Sequence, residues 1–299
     1  MFDFFANIFG YLLNFIYGIV NNYGIAIIIF TIILKLVMLP ISIKQQKTLK
    51  KSAKMQVKVK EIQEKYSNDQ VRQSQELMDL YKKENMSPFS GCLSSILQII
   101  LVLSMFFLVS KPLTHMRHID KELLNSYTTQ ISEKSDGQVR YPEIAIIKEM
   151  SEEDENVRLN MDFLSLDLSD IPSQDYKNWK VYIIPALYVI TSVISTKITT
   201  SMNKKAKEEQ DSEKIVKSNE KPKEENKALK IQEEKEDKEI DTMEEMNKQM
   251  TLMMPIMAVS IALIAPLGLA LYWLVSNILM IGERLIINKF FKDEEESDG

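Results

Sequence analysis

Residues 24–43 read GIAIIIFTIILKLVMLPISI, twenty consecutive positions whose only charge is Lys35. About 20 apolar residues in a helix cross a bilayer, and this run is too long and too uniformly apolar for a buried helix of a soluble protein. Three further stretches have the same character: about 88–112, about 179–198, and 250–288. The last is too long for one crossing. Pro266-Leu267-Gly268 in its middle is a helix-breaking turn signal, so it reads as two spans, 250–265 and 267–288. The fold class is therefore all-α, a polytopic membrane protein with five transmembrane helices.

Basic residues orient the spans, because short loops rich in Lys and Arg stay in the cytoplasm. Segment 44–87 has 11 basic and 6 acidic residues, 113–178 has 7 and 14, and 199–249 has 12 and 15. The first and third are the Lys-rich loops. Five spans then leave the N-terminus outside and the C-terminus, with its acidic tail 289–299, inside. Residues 1–23 are apolar and aromatic with no basic leader region. They read as an outer helix lying in the membrane interface, with a sixth span, or an extension of the first, as the alternative.

The polar segments differ. In 44–87, Met55, Val59, Ile62 and Tyr66 fall on one helical face. Asn68-Asp69 is a turn, and Val71, Ser74, Met78 and Tyr81 continue the pattern on a second helix, giving a cytoplasmic helical hairpin. Its Lys-rich side (Lys44, Lys47, Lys50, Lys51, Lys54, Lys58) is either a solvated flank or a surface for anionic lipid, ribosomal RNA or an acidic partner. Segment 113–178 is an extracellular loop, acidic and polar over 120–158. The Lys/Glu-rich stretch 203–247, inside the cytoplasmic loop 199–249, is expected to be disordered or loosely helical.

The whole chain has 299 residues, a net charge of −5, one cysteine (Cys92), two histidines (His115 and His118) and eight glycines. One cysteine excludes a disulfide framework. No glycine-rich phosphate loop occurs, and no cofactor, metal site or catalytic residue is expected; the chain does not read as an enzyme. The chemistry is one charge in a polar lining. Lys35 lies about 16 Å along the helix from Gly24 and about 12 Å from residue 43, close to mid-membrane, where a charge costs several kcal/mol unless water or a partner reaches it. Glu283 lies near the inner end of the fifth span, so Lys35 is expected to lack a buried carboxylate partner and to face a wet cavity. The alternative is Lys35 held by backbone carbonyls or slid to an interface by tilt. Ser94, Ser95, Gln98 and Ser104, then Thr191, Ser192, Ser195 and Thr196, then Tyr272, Ser276 and Asn277 supply polar groups from three other spans. Individually such residues are interhelical glue; together with Lys35 they suggest a hydrophilic groove. The fourth span is short, about 24 Å against a hydrocarbon core near 30 Å, which would thin the bilayer locally.

IFTIILKLVMLPISIKQQKTLKKSAKMQ (29–56), KEIQEKY (60–66), MSPFSGCLSSILQIILVLSMF (86–106), LSLDLSD (164–170), VYIIPALYVIT (181–191), MMPIM (253–257) and PLGLALYWLVSN (266–277) recur in the order found in one family. The chain resembles the YidC/Oxa/Alb membrane insertases from its first span to its fifth, apart from the polar inserts. The resemblance implies a five-span core with a cytoplasmic hairpin, and a positively charged groove that receives the hydrophilic part of a client while its apolar part slides along a greasy outer face. The groove charge, most often Arg in the family, falls on Lys35. Gln98 matches a polar position of the second span, and Pro266, Gly268, Tyr272, Trp273 and Asn277 match the fifth-span motif. Cys92 matches a Gly-Cys pair and reads as packing. The implied substrate-groove residues are Lys35, Ser94, Gln98, Thr191, Ser195, Tyr272, Trp273, Ser276 and Asn277. The implied partners are nascent membrane proteins, with the Sec translocon and the ribosome as candidates, anionic lipids at the 44–87 hairpin, and a monomer as the working state in the cytoplasmic membrane.

Three features depart from relatives. No lipoprotein-type leader is read, no large outer β-domain is expected before the core, and the acidic tail is unlike the basic ribosome-binding tail of several members. Two other classes fit the residues: a small-solute or anion transporter with Lys35 as its site, and a membrane scaffold working through the hairpin.

Overall fold

The computed structural model describes residues 2–67, 69–84, 90–134, 139–218 and 259–297, with side chains left aside at 49–57, 60, 64, 90–98, 199, 202–218 and 288–297. The helices are α1 (Phe2–Val20), α2 (Tyr23–Lys65), α3 (Gln70–Lys83), α4 (Ser90–Ser110), α5 (Pro112–His115), α6 (Lys121–Lys134), α7 (Pro142–Met150), α8 (Ile183–Ser218) and α9 (Leu267–Ser297). Residues 259–264 are also helical, and β1 (Asp162–Phe163) pairs antiparallel with β2 (Leu166–Asp167). The protein is an all-α polytopic membrane protein. Among the described residues four helical stretches are long and apolar enough to cross a bilayer: Phe2–Val20, Tyr23–Thr48, Trp179–Ile198 and Leu267–Ile287. A shorter apolar stretch runs Ile99–Ser110. Most of the expected fourth span lies outside the described residues. So do the methionines at 250–257 and the stretch 219–249; within 199–218 the Lys/Glu-rich chain continues α8 as a helix to Ser218.

The chain forms two compact units. One holds residues 1–39, 96–195 and 255–299; the other holds 40–95 and 196–254. In the first unit, α1 is apolar on two sides. Ala6, Gly10, Leu13, Ile16 and Tyr17 are buried, and Phe4, Ile8, Tyr11, Phe15 and Ile19 are exposed, each set at the three- and four-residue spacing of one helix face. The buried face rests on the turn after α4. Asn7 Oδ1 meets His115 Nδ1 at 2.7 Å, and Gly10 touches the His115 backbone. The Asn160 N–H donates to Tyr17 Oη at 2.8 Å. The entry to α2 is tied to the same region. Asn22 caps α2 by accepting from Ile25 N at 3.0 Å, and donates to Asp162 O at 2.6 Å.

His115 is buried, and burial pulls its imidazole below its ordinary pKa of 6.5, against the pull of Asp3; Lys111 and His118 lower it further. A depressed value means the fold favours neutral His115. Its contribution to stability is present above pH 6.5 and is lost as pH falls through the folded value. The expected result is that the natural protein loses thermal stability between pH 7 and 5, and that His115→Gln shows a flatter pH profile over the same interval.

The segment 160–175 stitches this unit together. Leu267 N donates to Asp170 O at 2.9 Å, Gly268 N to Leu168 O at 3.0 Å, and Ser173 N to Leu263 O at 2.9 Å. The LSLDLSD run thus satisfies backbone groups that the Pro266-Leu267-Gly268 break leaves open, as buried amides require. Lys148 Nζ donates to Asp170 at 2.6 Å and Asp175 at 3.2 Å. Burial pulls the Lys148 ammonium down, but these two carboxylates more than offset it and raise its proton affinity. The β1–β2 turn holds Leu164 at φ 54° and Ser165 at φ 62°, the left-handed pair a two-residue hairpin requires. Thr114 donates to the buried Glu143 carboxylate through both N (2.9 Å) and Oγ1 (2.6 Å).

In the second unit α2 continues past Pro40, turns at Tyr66–Asp69, and returns as α3. Asp69 caps α3 by accepting from Arg72 N at 3.0 Å. Lys58 pairs with Glu84 at 2.6 Å, and Gln73 Nε2 donates to Gln63 O at 3.1 Å. Val59, Ile62 and Tyr66 lie partly buried, as the periodicity predicts. The expected α3 face is corrected in part: Tyr81 is partly buried as expected, but Val71, Ser74 and Met78 are exposed (Val71 71%, Met78 53%), and Gln73, Leu77 and Leu80 are partly buried instead. The Gln73 amide, which donates to Gln63 O, lies on this partly buried side of α3. Lys58, read as part of an open basic side, is held by Glu84.

Candidate functional site

Gly268 aligns the helices that carry the site. It lies against Tyr23, Ile27 and Val109, where a Cβ would stand 3.4 Å from Tyr23 Cε1 and from Val109 Cγ1. The last helix therefore starts level with α2. From that shared start Lys35 is about 18 Å along α2 and Glu283 about 22 Å along α9, a difference that a lysine stem spans. Lys35 Nζ stands 3.8 Å from Glu283 Oε2. The expectation that Lys35 lacks a carboxylate partner is thus corrected. Glu283 lies near the far end of the apolar stretch Leu267–Ile287, and the Lys35 ammonium reaches the same level. The side chains keep 26% and 11% of their exposure respectively, so the pair is shielded but reachable by water.

Directly after Glu283, Arg284 donates from Nη1 to Ser195 Oγ of α8 at 3.4 Å. Two cations and one anion then leave this locus with one net positive charge. Arg284 joins this candidate site, and the sequence reading does not single it out. The available signal was Gly282-Glu283-Arg284 closing a span, a pair of opposite charges where a span is expected to be neutral.

Further along, Asn277 Nδ2 donates to Thr191 Oγ1 at 3.3 Å, and Thr191 Oγ1 donates to Leu187 O at 3.0 Å. Tyr188 and Trp273 pack with ring centroids 5.9 Å apart. Tyr272, Asn277 and Ser195 are buried, and Ser276 and Trp273 are half-buried. The structure brings Lys35, Thr191, Ser195, Trp273 and Asn277 into contacts that link α9 to α2 and α8. Ser94 and Gln98 lie on α4, and their side chains fall outside the described residues. Ser104 donates back to Ile100 O at 2.7 Å within its own helix, as does Thr31 to Ile27 O at 2.6 Å; these two are helix-internal bonds.

Chemically the locus is an ion pair with an added guanidinium in a low-dielectric surround. Such a site attracts an opposite charge more strongly than bulk water allows. Among the described residues, no cluster of three or more His, Cys, Asp or Glu could hold a metal ion.

A family model described as 60Kd inner membrane protein matches residues 15–295. A protein named membrane protein insertase YidC from Geobacter metallireducens is 26% identical over 277 residues, covering 93% of this chain and 35% of that protein. One of the same name from Citrifermentans bemidjiense is 26% identical over 281 residues, covering 94% and 36%. Another from Syntrophus aciditrophicus is 49% identical over 87 residues, covering 29% and 16%. The chain spans about a third of the length of the first two relatives.

Proposed function

The chain belongs to the 60Kd inner membrane protein family, that of the YidC/Oxa/Alb insertases, and on that premise we propose that it is a membrane protein insertase and chaperone of the cytoplasmic membrane. The observation that carries the reading is the family match over residues 15–295. The clients are nascent membrane proteins. The spans lie with the N-terminus outside and the C-terminus inside, α1 rests in the outer interface, and the α2–α3 hairpin faces the cytoplasm, where its basic side meets anionic lipid. The working unit is a monomer, and the Sec translocon and the ribosome are its candidate partners.

The mechanism is physical. Moving a polar segment across hydrocarbon is costly because nothing there replaces water. A groove lined by Lys35, Thr191, Ser195, Tyr272, Trp273, Ser276 and Asn277 supplies hydrogen-bonding partners and a positive charge partway across. An acidic segment of a client exchanges water for that charge while its apolar segment stays in contact with lipid. The net positive balance of Lys35, Glu283 and Arg284 supports this reading.

The test is reconstitution. Liposomes containing only this protein receive a single-span client with a short outer tail, and protease protection reports translocation. The account expects protected tail in excess of protein-free liposomes and no enhanced flux of small anions. Anion flux without protected tail would instead identify a transporter.

A further inference from the structure

We propose that Glu283 is a resident counter-ion: its carboxylate occupies Lys35 until an acidic side chain of a client displaces it, and so sets how acidic a segment must be to enter. This rests on the insertase reading above. The contact has the character an exchangeable ligand needs. At 3.8 Å it is longer than the 2.7–2.9 Å typical of a charge-assisted hydrogen bond, so attraction is present without a locked geometry. Among the described residues neither Lys35 nor Glu283 has a hydrogen-bonded side-chain partner, and Lys35 keeps 26% of its exposure. An incoming carboxylate can therefore reach the ammonium from the solvated side.

Charge balance gives the selectivity. Replacing one carboxylate by another at Lys35 leaves the number of ion pairs unchanged, so an acidic client exchanges in at little cost. A neutral segment gains nothing by separating the pair. Glu283, once released, remains beside Arg284, its neighbour in sequence, whose guanidinium already bridges to Ser195. The same three charges thus serve the empty and the occupied groove. With Glu283 in place the locus carries one net positive charge; without it, two. Removal of Glu283 would make the groove less discriminating, not inactive.

Liposomes containing the full chain are given clients whose tails carry zero, one or three acidic residues. For the natural protein, insertion is expected to climb with the number of acids. With Glu283→Gln, the one-acid tail is expected to rise by up to about fivefold, the upper range for a solvent-reachable ion pair, to the level of the three-acid tail, with the neutral tail unchanged. Equal scaling of all three tails, or an unchanged ranking, overturns the proposal. Failure of the natural protein on every tail overturns the insertase reading instead.

A second measurement needs no variant and no insertion. A water-soluble carbodiimide joins an amine to a carboxylate in contact, and mass spectrometry of the natural protein is expected to find Lys35 linked to Glu283. An acidic single-span peptide should suppress that link, and its neutral counterpart should not. Suppression by neither peptide refutes displacement.

Discussion

Lys35→Glu is expected to reduce insertion of acidic-tailed clients by about a hundredfold, the equivalent of about 2.7 kcal/mol, and Lys35→Arg to stay within a few-fold of the natural protein. The substitution converts attraction for an incoming carboxylate into repulsion. Two unit charges about 4 Å apart interact by about 4 kcal/mol at an effective dielectric of 20, so even a well-screened reversal reaches this size. It also sets a second carboxylate against Glu283, which Lys35 Nζ now faces at 3.8 Å. Arg284 then holds the only positive charge of the locus. Arginine at 35 keeps the cation, and the partner contact is long enough to accept its planar head. Insertion assayed by protease protection, with neutral-tailed clients alongside, separates a loss of charge recognition from a loss of fold. Undiminished insertion of acidic tails by Lys35→Glu would remove the electrostatic role.

Gly10→Ala is expected to destabilise the docking of α1 by about 1–3 kcal/mol or more, and Gly18→Ala to be neutral or stabilising by up to about 1 kcal/mol. Both change glycine to alanine within one helix, Gly10 at its centre and Gly18 in its last turn. A Cβ at Gly10 would collide with the His115 carbonyl, a backbone group that cannot swing aside, whereas at Gly18 nothing stands within 4 Å. Gly24 resembles Gly10: its Cβ would stand 2.5 Å from Phe163 Cδ2 and 2.8 Å from Phe163 Cβ, so turning the ring alone does not relieve the clash. Intrinsic helix propensity alone predicts a small gain at all three positions. Thermal unfolding in detergent and protease accessibility of α1 report the difference. Equal behaviour of Gly10→Ala and Gly18→Ala would contradict the packing of α1 on α5.

Much of this was legible in the chain because bilayer crossing is written in long apolar runs. The stretch 24–43 announces α2, Lys35 stands out as the charge within it, and PLGLALYW marks a break followed by a helix. What the chain does not display is the register between helices far apart in sequence. In the chain LSLDLSD and Pro266-Leu267-Gly268 read as separate motifs, yet the first supplies the carbonyls that accept from Leu267 and Gly268. Depth alone sets Glu283 apart from Lys35, since counting residues from the end of its own span says nothing of where Lys35 Nζ arrives. Only the meeting of Gly268 with Tyr23 and Ile27 gives the two helices a common origin. The same holds for Arg284, whose partner Ser195 lies on a helix far away in sequence. On α3, periodicity identifies a helix but not its face: Tyr81 is partly buried as expected, whereas Val71 and Met78 are exposed and the neighbouring row of Gln73, Leu77 and Leu80 is partly buried, because two adjacent rows of a short amphipathic helix carry apolar residues.

The most direct test of the account is where a client's acidic residue rests during insertion. With Cys92→Ser as background, Met280→Cys stands one turn before Glu283 and Arg284 on α9, and Ile278→Cys stands on its exposed side. A stalled client bearing a cysteine next to its acidic residue is then oxidised. The account predicts a disulfide to position 280 over position 278, strong with the acidic tail, weak with a neutral one, and lost when Lys35→Glu is added. Crosslinking that favours position 278, or that is indifferent to both the client's acid and Lys35, would contradict a charge-guided groove.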